Sequence, residues 1–170
     1  MTNIIVEDGS LIAYANSYTT ISGVDDYATD YGNTAWLTAT AGEKKIALFK
    51  AMRYIEALPF RGYKQTSAQA LEFPRSELYD NNEYLLEENT IPKKLVDAVC
   101  EASILSLISS PVELQPLITK DDFVKVERVT AAIGSSYSDK GLGMRSRSTV
   151  IEDMLKDFLK NRIVIEIKRG

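Results

Sequence analysis

At Ser22-x-x-Asp25, Thr40-x-x-Glu43 and Thr149-x-x-Glu152 a serine or threonine stands three residues ahead of an acid. Each pair opens a stretch in which apolar residues recur at three- and four-residue spacing. That combination satisfies the first free amides of a helix and gives the helix one face to bury. A chain so punctuated is committed to helices. The second box opens the strongest of them, with Ala47, Leu48, Ala51, Met52, Ile55 and Leu58 on one side until Pro59 stops it. The first opens a shorter helix ending near Gly32, with Val24, Tyr27, Ala28 and Tyr31 on a face. The third caps a last helix through Ile151, Leu155, Phe158 and Leu159.

Between the first two helices and the last the texture changes. Residues 60–91 show no sustained period and read as a long ordered loop, with a short helical stretch around Ser67 to Leu71 and with Phe73, Tyr79 and Tyr84 as aromatic anchors. Pro92 suits the first turn of a helix running to about Ser109, with Leu95, Val99, Ala102 and Leu105 inward. Phe123, Val124, Val126 and Val129 alternate with polar residues and predict a hairpin strand that returns through Tyr137. Gly134 to Ser148 is rich in Gly, Ser and Arg and reads as a loop. The segment from Arg162 to Lys168 sets Ile163, Ile165 and Ile167 on one face, the pattern of a half-buried strand. Burying those three side chains is worth roughly 5 to 9 kcal/mol. Left unpaired, the strand is an aggregation hazard, so it must join this chain's hairpin or the sheet edge of a neighbour.

The expected fold is therefore α+β and mainly α, a helical bundle with a β-hairpin and a C-terminal β-strand. One domain spans 1–170: a helical core over about 22–110, hairpin and loop over about 120–148, and the last helix and strand over about 149–168. A chain of 170 residues buries enough surface to need no disulfide or metal. The one cysteine, Cys100, falls in the apolar-periodic stretch and reads as a buried small hydrophobe.

Composition then narrows function. The chain has no histidine, which removes the commonest general base near neutral pH and the commonest ligand of catalytic metals. The serines have no partner at Ser-x-x-Lys spacing. Gly141-Leu142-Gly143 lacks the third glycine and the lysine of a phosphate-binding loop. Acids cluster at Glu7-Asp8, at Asp25-Asp26 and from Glu77 to Glu88. Asp80-Asn81-Asn82-Glu83, however, lacks the alternating oxygens and central glycine of a calcium loop, so a solvated acidic loop is expected there. No enzyme, cofactor, catalytic residue or metal is expected. No run of about 18 apolar residues exists and the amino terminus carries acids, so neither membrane insertion nor a secretory signal is expected.

Charge is uneven. Residues 1–139 hold twelve basic and twenty acidic side chains, whereas residues 140–170 hold eight basic and four acidic. Such a body repels phosphate, so any contact with nucleic acid must be local. Lys140, Arg145 and Arg147 form a basic loop suited to a phosphate backbone or an acidic protein surface.

The opening stretch from Ile4 to Trp36 holds three clusters, Glu7-Asp8-Gly9, Ala15-Asn16-Ser17-Tyr18 and Gly32-Asn33-Thr34-Ala35-Trp36. Together with Ala70-Leu71-Glu72-Phe73-Pro74-Arg75, Ile91-Pro92, the segment from Val129 to Tyr137, and the ending Lys168-Arg169-Gly170, they resemble a tailed-phage and prophage family that carries the label DnaT-like single-stranded-DNA-binding protein. Proteins of this kind are similar to head-to-tail adaptors, the connectors that complete phage heads. The resemblance implies a mainly helical fold with small β elements. It implies a structural virion protein, made in the bacterial host cytoplasm and placed at the head–tail interface, where a ring commonly of twelve copies extends the DNA channel. Its implied partners are the portal protein, the next neck protein (a stopper or tail terminator), other copies of itself, and genomic DNA passing without sequence specificity; no membrane is involved.

On this reading Ile163, Ile165, Ile167, Lys168 and Arg169 form the assembly interface, while Lys140, Arg145 and Arg147 face the lumen or the next tail ring. The loop is longer and more basic than the family's pattern. The alternative is autonomous single-strand binding, with Lys120, Lys125, Arg128 and the basic loop around Tyr137 as a stacking platform. The adaptor reading predicts that deleting residues 161–170 abolishes attachment to portal-filled heads while the helical core stays folded. Unimpaired attachment of the truncated protein removes the docking assignment.

Overall fold

A computed structural model of the chain describes residues 3–80, 82–108 and 149–160. Within them are five helices, α1 (Ile21–Asp30), α2 (Thr34–Thr38), α3 (Ala41–Glu56), α4 (Lys93–Ile108) and α5 (Thr149–Leu155), and two short strands, β1 (Tyr63–Lys64) and β2 (Arg75–Ser76). The fold is mainly helical with a small antiparallel sheet, as the sequence predicts. The predicted hairpin and loop over about 120–148, with Lys120, Lys125, Arg128 and Tyr137, lie outside the described residues, as does the terminal strand.

The box at Thr40 forms as expected. The Thr40 hydroxyl accepts the Glu43 amide at 3.3 Å, and the Glu43 carboxylate accepts the Thr40 amide at 2.9 Å. Behind it Ala47, Leu48, Ala51, Met52 and Ile55 are buried, with Leu58 half-buried past the helix end. Two alanines on this face let α3 approach α4 closely, and the α3–α4 contact is the most extensive between any two elements.

α4 starts as the carbonyl of Pro92 accepts the amides of Leu95 and Val96. Leu95, Val99 and Ala102 are buried as predicted and Leu105 is half-buried. Burial also takes in Ala98, Cys100, Ser103, Ile104 and Ser106, so most of the girth is covered. A helix apolar nearly all round belongs in the middle, and α1, α2, α3 and α5 all pack on this one. Its two buried serines donate back to the carbonyls one turn earlier, Ser103 to Val99 and Ser106 to Ala102.

Several expectations need correction. The first helix is capped by Thr20, not Ser22. Thr20 is extended (φ −93°, ψ 168°) and accepts the Gly23 amide, and the backbone is helical from Ile21, so Ser22 cannot take a cap's conformation. Val24 and Ala28 point inward from α1, but Tyr31 caps its end and is 72% exposed. No helix forms at Ser67 to Leu71, where the Gln69 side chain takes the Thr66 amide and donates to the carbonyls of Leu71 and Pro74. Tyr79 and Tyr84 are not anchors, being 48% and 71% exposed. Tyr79 itself bridges Leu85, next to Tyr84, and alternation along the strand turns Leu78 inward and Tyr79 out.

The remaining anchor, Phe73, is buried edge-on to Phe60 and Tyr18, and beside Phe158. The last helix ends at Leu155, sooner than the periodicity suggests. Phe158 and Leu159 stay buried because Leu159 bridges Phe60 and the Phe158 carbonyl accepts the Arg61 amide. The short α2 was not foreseen; Asn33 caps it by accepting the Trp36 amide, and Trp36 is fully buried. Cys100 is buried, as its position in the apolar stretch implies.

The amino-terminal segment is held by a buried carboxylate. Glu7 accepts the amides of Gly9, Leu11 and Ile12, drawing the chain into a tight loop. Gly9 has φ +108°, and a β-carbon there would sit 2.0 Å from the Asn89 carbonyl oxygen. Gly9→Ala is therefore expected to lower the unfolding free energy by about 2 kcal/mol or more in urea titration. A midpoint equal to that of the wild type removes this contact from the account.

Candidate functional site

The segment between α3 and α4 is fixed to the helices by a buried polar network. The Tyr18 hydroxyl donates to Glu56 at 2.6 Å and accepts the Phe73 amide at 2.9 Å, while the other Glu56 oxygen accepts the Glu72 amide at 2.8 Å. Glu72 pairs with Arg75 and Lys64, and the Arg75 guanidinium also donates to the carbonyls of Arg61, Gly62 and Glu72. Burial, with Glu56 alongside, drives the Tyr18 hydroxyl far above the ordinary tyrosine range. Burial also raises the Glu56 carboxyl, outweighing the hydrogen bonds from Tyr18 and the Glu72 amide that pull it down. Such a network orders the scaffold and offers no reacting atom. Cys100 is equally inert, because burial pushes its thiol up to about 12. Among the described residues no group of three His, Cys, Asp or Glu side chains is placed to hold a metal ion, and no helix is long and apolar enough to cross a membrane.

The surface is more informative. With α3 packed through Ala47, Leu48, Ala51, Met52 and Ile55, helical geometry turns Lys45, Ile46, Phe49, Lys50 and Arg53 to the opposite side within an arc of about 140°. Ile46 is 59% exposed, Arg53 is exposed, and Lys45, Phe49 and Lys50 are half-exposed. Among the described residues none of these three cations joins an ion pair. Arg61, Lys156 and Lys160 share this lack among the described residues, whereas Lys44 is held by Asp25, Lys64 and Arg75 by Glu72, Lys93 by Asp97 and Lys94 by Asp157. Lys44 points to the packed side, over the Trp36 ring, and its partner Asp25 also accepts the Trp36 indole N–H. The outward face of α3 thus combines three uncommitted cations with an aliphatic and an aromatic side chain.

A second surface feature has the opposite sign. From Glu77 to Glu88 a hairpin carries five acids and no base. Asp80 shapes it by accepting the amides of Asn82 and Tyr84, which hold its carboxyl below the usual range. Tyr79, Tyr84 and Leu85 stand exposed on it. A third feature is the stacked pair Tyr27 and Tyr31, with ring centroids 4.4 Å apart. Its surroundings, Glu101 and Asp97, are acidic, and burial with Glu101 raises the Tyr27 hydroxyl.

A family model described as "Putative DnaT-like ssDNA binding protein" matches residues 2–170. The chain belongs to this family. No curated protein and no solved structure matches it. The DnaT-like description agrees with the label that the amino-terminal clusters suggest, and it speaks of single-stranded DNA, not of a portal, a tail or a ring.

In this DnaT-like chain the site residues expected from sequence, Lys140, Arg145 and Arg147 in the loop and Ile163, Ile165, Ile167, Lys168 and Arg169 at the terminus, lie outside the described residues. What the sequence reading passed over is the outward face of α3. The signal was present, since the period that sends Leu48 and Ile55 inward sends Lys45, Phe49 and Arg53 outward.

Glu56 gives a test of the polar network at the end of α3. Its folded pKa lies above the unfolded value, so its contribution to stability is complete below the ordinary carboxylate pKa and is lost as pH rises through the folded one. Urea unfolding of the wild type and of Glu56→Gln between about pH 4 and pH 7 should show the wild type losing ground to the variant as pH rises. A difference constant across that range contradicts the buried assignment.

Proposed function

We propose that this protein binds single-stranded DNA, with the outward face of α3 as its described contact surface. The observation that carries the reading is the arc holding Lys45, Ile46, Phe49, Lys50 and Arg53, where three cations without described ion-pair partners surround apolar side chains on a rigid 16-residue helix. Lysine and arginine there neutralise phosphates, and the Arg53 plane, the Phe49 ring and Ile46 give bases a surface to lie against. Bases in a single strand are free to stack in this way, and stacking tolerates any sequence. The family description supports the same reading.

Acids outnumber bases among the described residues, so the field of the body opposes a polyanion and binding rests on this local patch. The consequence is modest affinity with strong salt dependence. The net-basic segment from residue 140 onward is a further source of phosphate contacts. Service as a neck ring between portal and tail draws no support from the comparisons, and single-strand binding stands ahead of it.

Fluorescence anisotropy with labelled oligothymidine checks the proposal. Binding is expected at about 50 mM salt, and replacing Lys45, Lys50 and Arg53 together by glutamine should reduce the slope of log K against log salt by about 2. No binding by the wild type at low salt removes the single-strand function. Binding with an unchanged slope in the triple variant moves the interface away from α3.

A further inference from the structure

The outward face of α3 has a counterpart on the same chain. We propose that this face also receives the acidic hairpin of a second copy, joining molecules head to tail. The two surfaces are complementary in charge and in apolar content. Lys45, Lys50 and Arg53 around Ile46 and Phe49 face Glu77, Asp80, Glu83, Glu87 and Glu88 around Tyr79, Tyr84 and Leu85.

The hairpin is built to be presented. Leu78 is buried at its base, the Leu86 amide donates to the Leu78 carbonyl, the Asp80 amide to the Tyr84 carbonyl, and the Glu83 amide to the Asp80 carbonyl. A shape ordered in advance loses little entropy on docking. Its exposed tyrosines and leucine then have a use, since apolar groups ringed by charge mark contact surfaces.

A second copy is the occupant because the described residues do not satisfy the two surfaces internally. Among the described residues no ion pair links a hairpin carboxylate to Lys45, Lys50 or Arg53. The hairpin lies toward the start of α4, where Asp80 feels Lys94. Since the joining surfaces differ, each copy in a contact keeps one surface free, and the pair keeps one of each sign. Association of this heterologous kind extends past the dimer, into a closed ring or an open chain.

Acids spaced among aromatic rings also present what a single strand presents, anions among flat apolar faces. The hairpin and DNA therefore compete for α3. The inference shares that face with the proposed function but does not depend on DNA binding there, and the two fail separately.

A charge-swap experiment followed by sedimentation velocity at about 50 mM salt decides it. The wild type should self-associate in a concentration- and salt-dependent way. Glu83→Lys, Glu87→Lys and Glu88→Lys in one variant, and Lys45→Glu, Lys50→Glu and Arg53→Glu in another, should each weaken association at least about tenfold while circular dichroism shows both folded. Mixing the two variants should restore it, because the reversed hairpin matches the reversed α3 face and the untouched surfaces match each other. A wild type monomeric at low salt, association that survives both reversals, or a mixture that stays monomeric overturns the proposal. A wild type that self-associates but binds no oligothymidine counts against the DNA reading alone.

Discussion

A single hydroxyl ties the parts of this molecule together. Tyr18 follows the amino-terminal loop and reaches both the end of α3, through Glu56, and the middle of the irregular segment, through the Phe73 amide. Without that oxygen, Glu56 loses a donor and a buried amide loses its acceptor, a cost of about 1–3 kcal/mol for each group left bare. Phe73, held there, brings Phe60 and Phe158 into one aromatic cluster. Segments far apart in sequence thus meet at one polar point set inside an apolar shell. Networks of this kind define a unique arrangement only when every member is satisfied, and the partners named here satisfy both Glu56 oxygens and the Tyr18 hydroxyl.

The helix that Glu56 terminates has two sides of different character. One packs small and branched residues against α4, which fixes the position of α3. The other is thereby presented on a helix whose place is set by packing. A contact surface on a buried helix is better defined than one on a loop, since the scaffold has already met the ordering cost. The acidic hairpin achieves similar definition by a different route, through Asp80 and the buried Leu78.

Much of this was legible in the sequence. The Thr40 box, the inward faces of α3 and α4, the buried cysteine and the helical fold class follow from periodicity and capping, which act over a few residues. Errors arose where distant contacts decide. Thr20 displaced Ser22 as a cap because the backbone is already helical at Ile21, and Asp25, the partner expected for Ser22, is engaged by Trp36 and Lys44. Tyr79 and Tyr84 face water because Leu78 takes the inward place at the hairpin's base. The buried role of Glu7 carries no local signature, since an acid beside another acid reads as solvated until its three amide partners are in view. The α3 face was written in the same period as its core face, but its meaning depended on which cations were already paired, and pairing is not visible in a linear string.

The lone thiol of Cys100 acquires a significance beyond packing. It is the only cysteine in the chain, it lies on the central helix, and burial keeps it protonated. A thiol-specific reagent reaches it only when α4 parts from its neighbours. The protein therefore contains its own timer for cooperative opening, one that ignores fraying of the surface and registers the rare event in which the core itself comes apart.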